Sequence, residues 1–329
     1  MNELKNGKIT LKQALKKYLD MISMSRSQNT FRTYTNAINL FSQILEENNI
    51  EINTFIAENF SEDYIVQMVN ALNAYSPSTE QCYLTAIMGF YEYLAGENIA
   101  NVNLPRVRLL IKQRSRRPGI RLPQFPRYEI EKMIEFALEL SAEETSSDTD
   151  RLINLRDRAF LITLADTGLR VHEACQLRRG DLDWNEGRAA IIGKGNRQAI
   201  IRFSKRSLRC IKDYLQARGK LDGQSGKSLQ SLPIFARHDK ASGKFIKPIS
   251  TTTGRQIVTD RVRECLGESS IGTITPHSFR HYFVTTILIA SGNLKLAQEL
   301  ARHKNIAVTQ RYSHLADGEL DREYLEIFG

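Results

Sequence analysis

Asp166-Thr167-Gly168-Leu169-Arg170-Val171-His172-Glu173-Ala174 is the turning point of the sequence. Before it, residues 152–166 carry apolar side chains at helical spacing, and Gly168 is the kind of residue that stops a helix. After it, 171–178 reads as a short second helix, with Arg170 at the junction and Glu173 one turn on. Three short apolar runs follow: Leu182-Asp183-Trp184, 189–192 and 199–203. Asn185-Glu186-Gly187 separates the first two and Gly193-Lys194-Gly195-Asn196 the second two; both are turn chemistry, which predicts an antiparallel meander. Helical patterns occupy 128–140, 205–217 and most of the chain from Thr251 onward. The polar stretch 141–150 reads as an insertion, and the Gly/Ser-rich 219–231 as an exposed, mobile loop.

The front of the chain is helical throughout. Leu11, Leu15, Tyr18 and Ile22 form one stripe; Phe31, Tyr34, Ile38, Phe41 and Leu45 form a second behind a capping-type Asn29. Ile65, Met68, Val69 and Leu72 form a third after Ser61. Tyr83, Ile87, Phe90 and Leu94 form a fourth, opened by Ser76-Pro77 and closed by Gly96. Four amphipathic helices of this kind pack as a small bundle. The expected fold is therefore mainly α with a small antiparallel sheet: an all-α domain over 1–103 and an α+β domain over 124–329.

Composition agrees with a two-domain globular protein. The chain has 329 residues, 41% hydrophobic and 25% charged. No apolar run approaches the roughly 18–20 residues of a membrane span. The polar start, 1–9, lacks the apolar core of a secretory leader, so none is expected. Cys82, Cys175, Cys210 and Cys265 lie far apart and suit reduced thiols in a cytoplasmic protein.

Charge is distributed unevenly. The formal net charge is +9, yet residues 1–103 sum to −4 and 124–329 to +6, while the short segment 104–123 alone carries +7. Arg106, Arg108, Lys112, Arg114, Arg116, Arg117 and Arg121 supply that charge, with Pro105, Pro118 and Pro123 limiting helix. The segment is expected to be a basic interdomain linker. Such a run fits either a polyanion, whose counterions it would release, or a merely solvated connection.

Four further features carry chemistry only in combination. In Thr275-Pro276-His277-Ser278-Phe279-Arg280-His281, Thr275 caps a helix, Pro276 suits its first position, and His277 and Arg280 share a face near free N–H groups. An ordinary solvated helix start reads the same way. Arg170 with Glu173 equally describes a surface ion pair. Lys194 at a turn tip is ordinarily just solvated, and Tyr312 in the C-terminal stretch after His303 is one tyrosine among 12.

Taken in order, Arg170, Lys194, the His277/Arg280 pair, His303 and Tyr312 resemble the tyrosine recombinase (phage integrase) family. The T-G-L-R-x-x-E-A stretch, the G-K-G-N turn, the T-P-H-x-F-R-H helix and the L-x-x-H ending that leads to Y-x-H all match that family's signatures. The resemblance covers essentially the whole chain and is closer to the two-domain members than to the large phage integrases. It implies a SAM-like core-binding domain in front and the recombinase catalytic domain behind. One departure stands out: Arg302 precedes His303 where many members have glycine.

The resemblance also implies a mechanism. Tyr312 attacks the scissile phosphate to give a 3′-phosphotyrosine, Arg170 and Arg280 hold the non-bridging oxygens, and Lys194 protonates the leaving 5′ oxygen. His277 assists proton transfer, His303 hydrogen-bonds the phosphate, and Glu173 supports the site. No metal, ATP or other cofactor is expected. Expected partners are double-stranded DNA with an inverted-repeat site, further copies of the chain in a tetramer on DNA, and an accessory protein in some systems. DNA contacts are expected from Lys12, Lys16, Lys17 and Arg32 on the front domain and from Arg106, Arg108, Lys112, Arg114, Arg116 and Arg117 in the linker. The tail 313–329, with Leu320, Tyr324, Ile327 and Phe328 at helical spacing, is expected to dock on a neighbouring protomer. Localisation is expected to be cytoplasmic in a prokaryote, on the nucleoid when acting. Three rivals remain at this point: a type IB topoisomerase, a catalytically silent DNA-binding architectural protein, and a helix-turn-helix regulator.

Overall fold

Capping residues and apolar spacing set the helices of the front unit. The computed structural model describes residues 8–116, 126–193, 197–239, 246–303 and 305–310. Helix α1 (Leu11–Ser25) opens with a reciprocal capping box between Thr10 and Gln13. Its stripe Leu11, Leu15, Tyr18 and Ile22 is buried, as the spacing predicts. Helix α2 (Gln28–Glu47) is capped by Ser27, whose hydroxyl accepts from the Thr30 amide; Asn29, expected to cap, lies inside the helix. Helices α3 (Tyr64–Leu72) and α4 (Pro77–Gly96) complete four amphipathic helices, α4 being capped by Ser76 with Pro77 in its first turn. Phe41, Phe60, Phe90 and Tyr91 fill the centre of this unit.

A fifth helix stands where the linker was expected to begin. Helix α5 (Leu104–Arg114) is capped by Asn103, and Pro105 falls in its first turn, where a missing N–H costs nothing. Val107 is fully buried in the front core, so α5 belongs to the bundle. The chain divides into compact units at Met1–Arg121 and Leu122–Gly329, a break that falls within the expected linker 104–123, while α5 joins the front unit.

In the second unit, α6 (Arg127–Glu139) is followed by α7 (Asp148–Thr167). Ser147 caps α7, so the last part of the polar insertion 141–150 is helical. Then come α8 (Val171–Gln176), β1 (Leu182–Asp183), β2 (Arg188–Gly193) and β3 (Arg197–Arg202). The strands form the expected antiparallel meander in the order β1-β2-β3, with Leu182 opposite Ala189 and Ala190 opposite Ile200. Helix α9 (Lys205–Ala217) follows, then α10 (Gly219–Gly223).

The stretch 219–231 is mostly exposed, as expected, but it opens with the short helix α10 instead of a loop. Asp222 is buried and pairs with the fully buried Arg218 at 2.8 Å, while Arg218 also donates to the carbonyls of Pro233 and Ile234. A buried guanidinium with these partners ties α10 to α9; its glycines gave no hint of that. Helices α11 (Thr251–Leu266), α12 (Pro276–Ser291), α13 (Leu294–Ala301) and α14 (Ile306–Gln310) close the described structure. Phe160 on α7, Tyr214 on α9, Phe235 and Phe279 on α12 lie in one core. Among the described residues, no helix is long and apolar enough to cross a membrane.

Candidate active site

The site is built on the Gly168 turn. Gly168 ends α7 with φ +58°, and a Cβ there would meet the Phe283 ring of α12 at 2.4 Å. Only a residue without a side chain satisfies both the left-handed backbone and the close approach of α12. That approach brings Arg280 beneath the turn. Its Nη1 donates to the Gly168 carbonyl at 2.5 Å and its Nη2 donates to the Ala301 carbonyl at the end of α13. Arg280 is 3% exposed, so its guanidinium is held in a fixed plane by backbone from two elements.

Arg170 sits at the start of α8. Its amide donates to Glu173 Oε2 at 2.9 Å and its Nη1 to Glu173 Oε1 at 3.0 Å. The Glu173 side chain is 2% exposed, whereas that of Arg170 is 43% exposed. Burial pushes the Glu173 carboxyl up, but Arg302, the Arg170 amide and the Arg170 guanidinium outweigh it and hold it below the usual range. It is therefore a carboxylate at neutral pH.

Thr275 and Ser278 form the capping box that starts α12 and sets His277 in its first turn. Arg170, His277 and Arg280 line a hollow of about 420 Å³, together with His172 and Arg255. Helix α11 reaches this hollow because Gly254 packs where a Cβ would lie 2.9 Å from Cys175 Sγ. The His277 ring stands edge-on to His281, one turn further along α12, with centroids 4.3 Å apart. Burial and then the charges of Arg280 and Arg170 lower the pKa of His277.

His303 follows α13. Its Nδ1 is 2.9 Å from the buried Thr309 hydroxyl of α14, and its amide donates to the Gln298 carbonyl. Burial, then Arg280 and Arg170, push its pKa down to about 4, and His281 is likewise brought to about 4 by burial, His277 and Arg280. These histidines are neutral at physiological pH, surrounded by guanidinium groups that keep their charge.

The structure thus brings Arg170, Glu173, His277, Arg280 and His303 into one neighbourhood from three separate stretches of chain. Lys194 and Tyr312 lie outside the described residues, as do Arg117 and the tail 313–329. Three groups at the site escaped the sequence reading. His281 had a signal, its i, i+4 spacing from His277; Arg255 and the side chain of Arg302 had none, because their partners are remote in sequence.

The ten expected DNA contacts separate into groups. Lys16, Lys17 and Arg32 are exposed on α1 and α2, and Lys12 Nζ donates to Asn53 Oδ1 at 2.8 Å. Lys112 and Arg114 are exposed at the end of α5. Arg106 pairs with Asp63 at 2.6 Å and Arg108 with Glu92 at 2.8 Å. Arg116 pairs with the buried Glu80 at 2.7 Å and donates to the Leu72 and Tyr75 carbonyls. Much of the expected linker charge is therefore matched by carboxylates of its own unit.

Residues 129–319 match the phage integrase family, and residues 15–98 match the phage integrase N-terminal SAM-like domain. The chain belongs to the phage integrase family. This bears out the resemblance read from the site motifs and both expected domain types. Among its relatives, tyrosine recombinase XerC of Staphylococcus aureus (strain USA300 / TCH1516) is 28% identical over 314 residues, covering 94% of each chain. The XerH site-specific recombinase bound to palindromic difH substrate, in a post-cleavage complex, shares the fold with a TM-score of 0.66 at 18% identity, covering 98% of each chain. A lambda integrase dimer bound to a COC′ core site shares it at 0.62 and 18%, covering 92% of this chain and 95% of that one. As a member of this family the protein is a tyrosine recombinase, an enzyme of the DNA strand-transferase class that carries out site-specific recombination.

Proposed function

We propose that this integrase-family enzyme cleaves and rejoins duplex DNA at an inverted-repeat site through a 3′-phosphotyrosine on Tyr312. The observation that carries the proposal is the convergence of Arg170 and Arg280 with the neutral His277 and His303 around the Gly168 turn. Phosphoryl transfer builds charge on the non-bridging oxygens, and fixed guanidinium forks stabilise that charge without reorganising. Arg280 is fixed by two carbonyls and Arg170 by Glu173.

In the forward step the Tyr312 phenolic oxygen forms a bond to phosphorus and the bond from phosphorus to the 5′ oxygen breaks. The tyrosine proton passes to His277 or to water, and Lys194 gives a proton to the leaving oxygen. One phosphodiester is exchanged for another, so no nucleotide is consumed; rejoining is the reverse with a new 5′-hydroxyl. The Thr309 hydroxyl holds one ring nitrogen of His303, which presents Nε2 to a non-bridging oxygen.

DNA contacts fall to the exposed Lys16, Lys17, Arg32, Lys112 and Arg114, with Lys12 beside them. Arg106, Arg108 and Arg116 meet phosphates only in competition with the carboxylates they already hold. The protein acts in the cytoplasm, on the nucleoid, as a tetramer in which the tail 313–329 bridges protomers. Its biological task is integration or excision of a mobile element, or Xer-type resolution. The general-acid assignment has a direct chemical test. Lys194→Ala should fall by about a hundredfold or more in cleavage of ordinary DNA. A 5′-phosphorothiolate, whose sulfur leaves without a proton, should restore most of that rate. Equal impairment on both substrates would assign the proton elsewhere.

A further inference from the structure

Arg302 occupies a backbone position that suits glycine. It caps α13 at φ +57° and ψ +42°, in the left-handed region, where an L side chain is strained. Its side chain is only 14% exposed, and its Nε is buried without a hydrogen-bond partner. A residue kept there against backbone preference and with an unsatisfied donor must return something through the rest of its guanidinium.

That return is visible. Arg302 Nη1 lies 3.1 Å from Glu173 Oε2, the same oxygen that accepts the Arg170 amide at 2.9 Å. Its Nη2 lies 3.4 Å from the Gly168 carbonyl, which also accepts from Arg280. Glu173 is thus held from two sides, by Arg170 within its own turn and by Arg302 from a segment 129 residues away. The next residue after Arg302 is His303.

We infer that Arg302 is a positioning residue. It locks the Glu173 carboxylate so that Arg170 keeps one orientation, and it ties the segment bearing His303 to the Gly168 turn, without itself touching the phosphate. The inference rests on the strand-transfer function proposed above, and its test includes an arm that needs no activity.

The variants are Arg302→Gly, Arg302→Lys, Glu173→Gln and the Arg302→Gly/Glu173→Gln double variant of the full chain. Glycine relieves the backbone strain at 302 while removing one partner of the buried Glu173 carboxylate, so the melting temperature of Arg302→Gly should move by only a few degrees, about 5 °C at most. Hydrogen exchange, followed by mass spectrometry in peptides containing Arg170, should nonetheless quicken about tenfold in Arg302→Gly and return towards wild type in Arg302→Lys. The rate of covalent adduct formation on nicked duplex DNA should fall about tenfold or more, with DNA affinity unchanged. In the Glu173→Gln background, Arg302→Gly should cost little further, because the two act through one carboxylate. Unaltered exchange at Arg170, or losses that simply add in the double variant, would overturn the inference. A wild type that binds DNA but forms no adduct would overturn the proposed function instead, and the exchange arm would still decide Arg302.

Discussion

Gly168 meets two demands at one atom, a left-handed backbone and the face of Phe283 where a Cβ would sit. Gly168→Ala therefore adds backbone strain of about 1–3 kcal/mol and overpacking of similar size, so a loss of about 2–5 kcal/mol is expected. A urea melt of the variant checks this, and an unchanged midpoint would contradict it. The importance of Gly168 was legible in the sequence, since a glycine between two helical patterns marks a turn and Arg170 three residues before Glu173 marks its first helical turn. The Phe283 contact was not legible, because Gly168 and Phe283 are far apart in the chain. Arg302 shows the same limit more sharply. Its departure from glycine was visible beside His303, but the carboxylate that explains it is 129 residues away.

Helix α12 gathers His277, Arg280 and His281 within its first two turns, and the segment after α13 adds His303. The physical consequence is a cluster of histidines that resist protonation. His281 and His303 titrate near 4 when folded, against 6.5 for an unperturbed histidine. Between those values the unfolded chain binds protons that the folded chain refuses. The stability due to these groups is therefore complete above pH 6.5 and lost as pH falls towards 4. His281→Gln should make denaturant stability fall less steeply than in wild type between pH 7 and pH 4.5. Parallel slopes would show that the fold does not depress the pKa of His281. Periodicity and caps revealed α1 to α4, α6, α9 and α12 in the sequence, and turn residues revealed the meander. The helix α5 was missed because its prolines were read as breakers, although Pro105 stands in the first turn, where proline is welcome. Helix α10 was missed because its glycines outweighed the Arg218–Asp222 pair that ties it to α9.

A positive charge concentrated near the boundary of two units first suggested a polyanion partner. Ion pairs to Asp63, Glu92 and Glu80 neutralise much of that charge within the front unit. Net charge by segment thus pointed to the partner class but not to which of its cations are paired, since a sum of charges carries no information about pairing. The catalytic identity came instead from ordered motifs that each describe something ordinary; among the described residues, the Arg170 turn and the His277/Arg280 helix start line one hollow. The decisive measurement is a denaturing gel of wild type and Tyr312→Phe incubated with nicked duplex fragments from the genomic flanks of the gene. The nick lets the short 5′-hydroxyl strand diffuse away and traps the intermediate. Wild type should give a protease-sensitive protein–DNA adduct through a 3′ phosphate. Tyr312→Phe should give none while binding the same fragment with similar affinity. An equal adduct from Tyr312→Phe, or a tightly bound fragment that wild type leaves uncut, would contradict strand transfer through Tyr312.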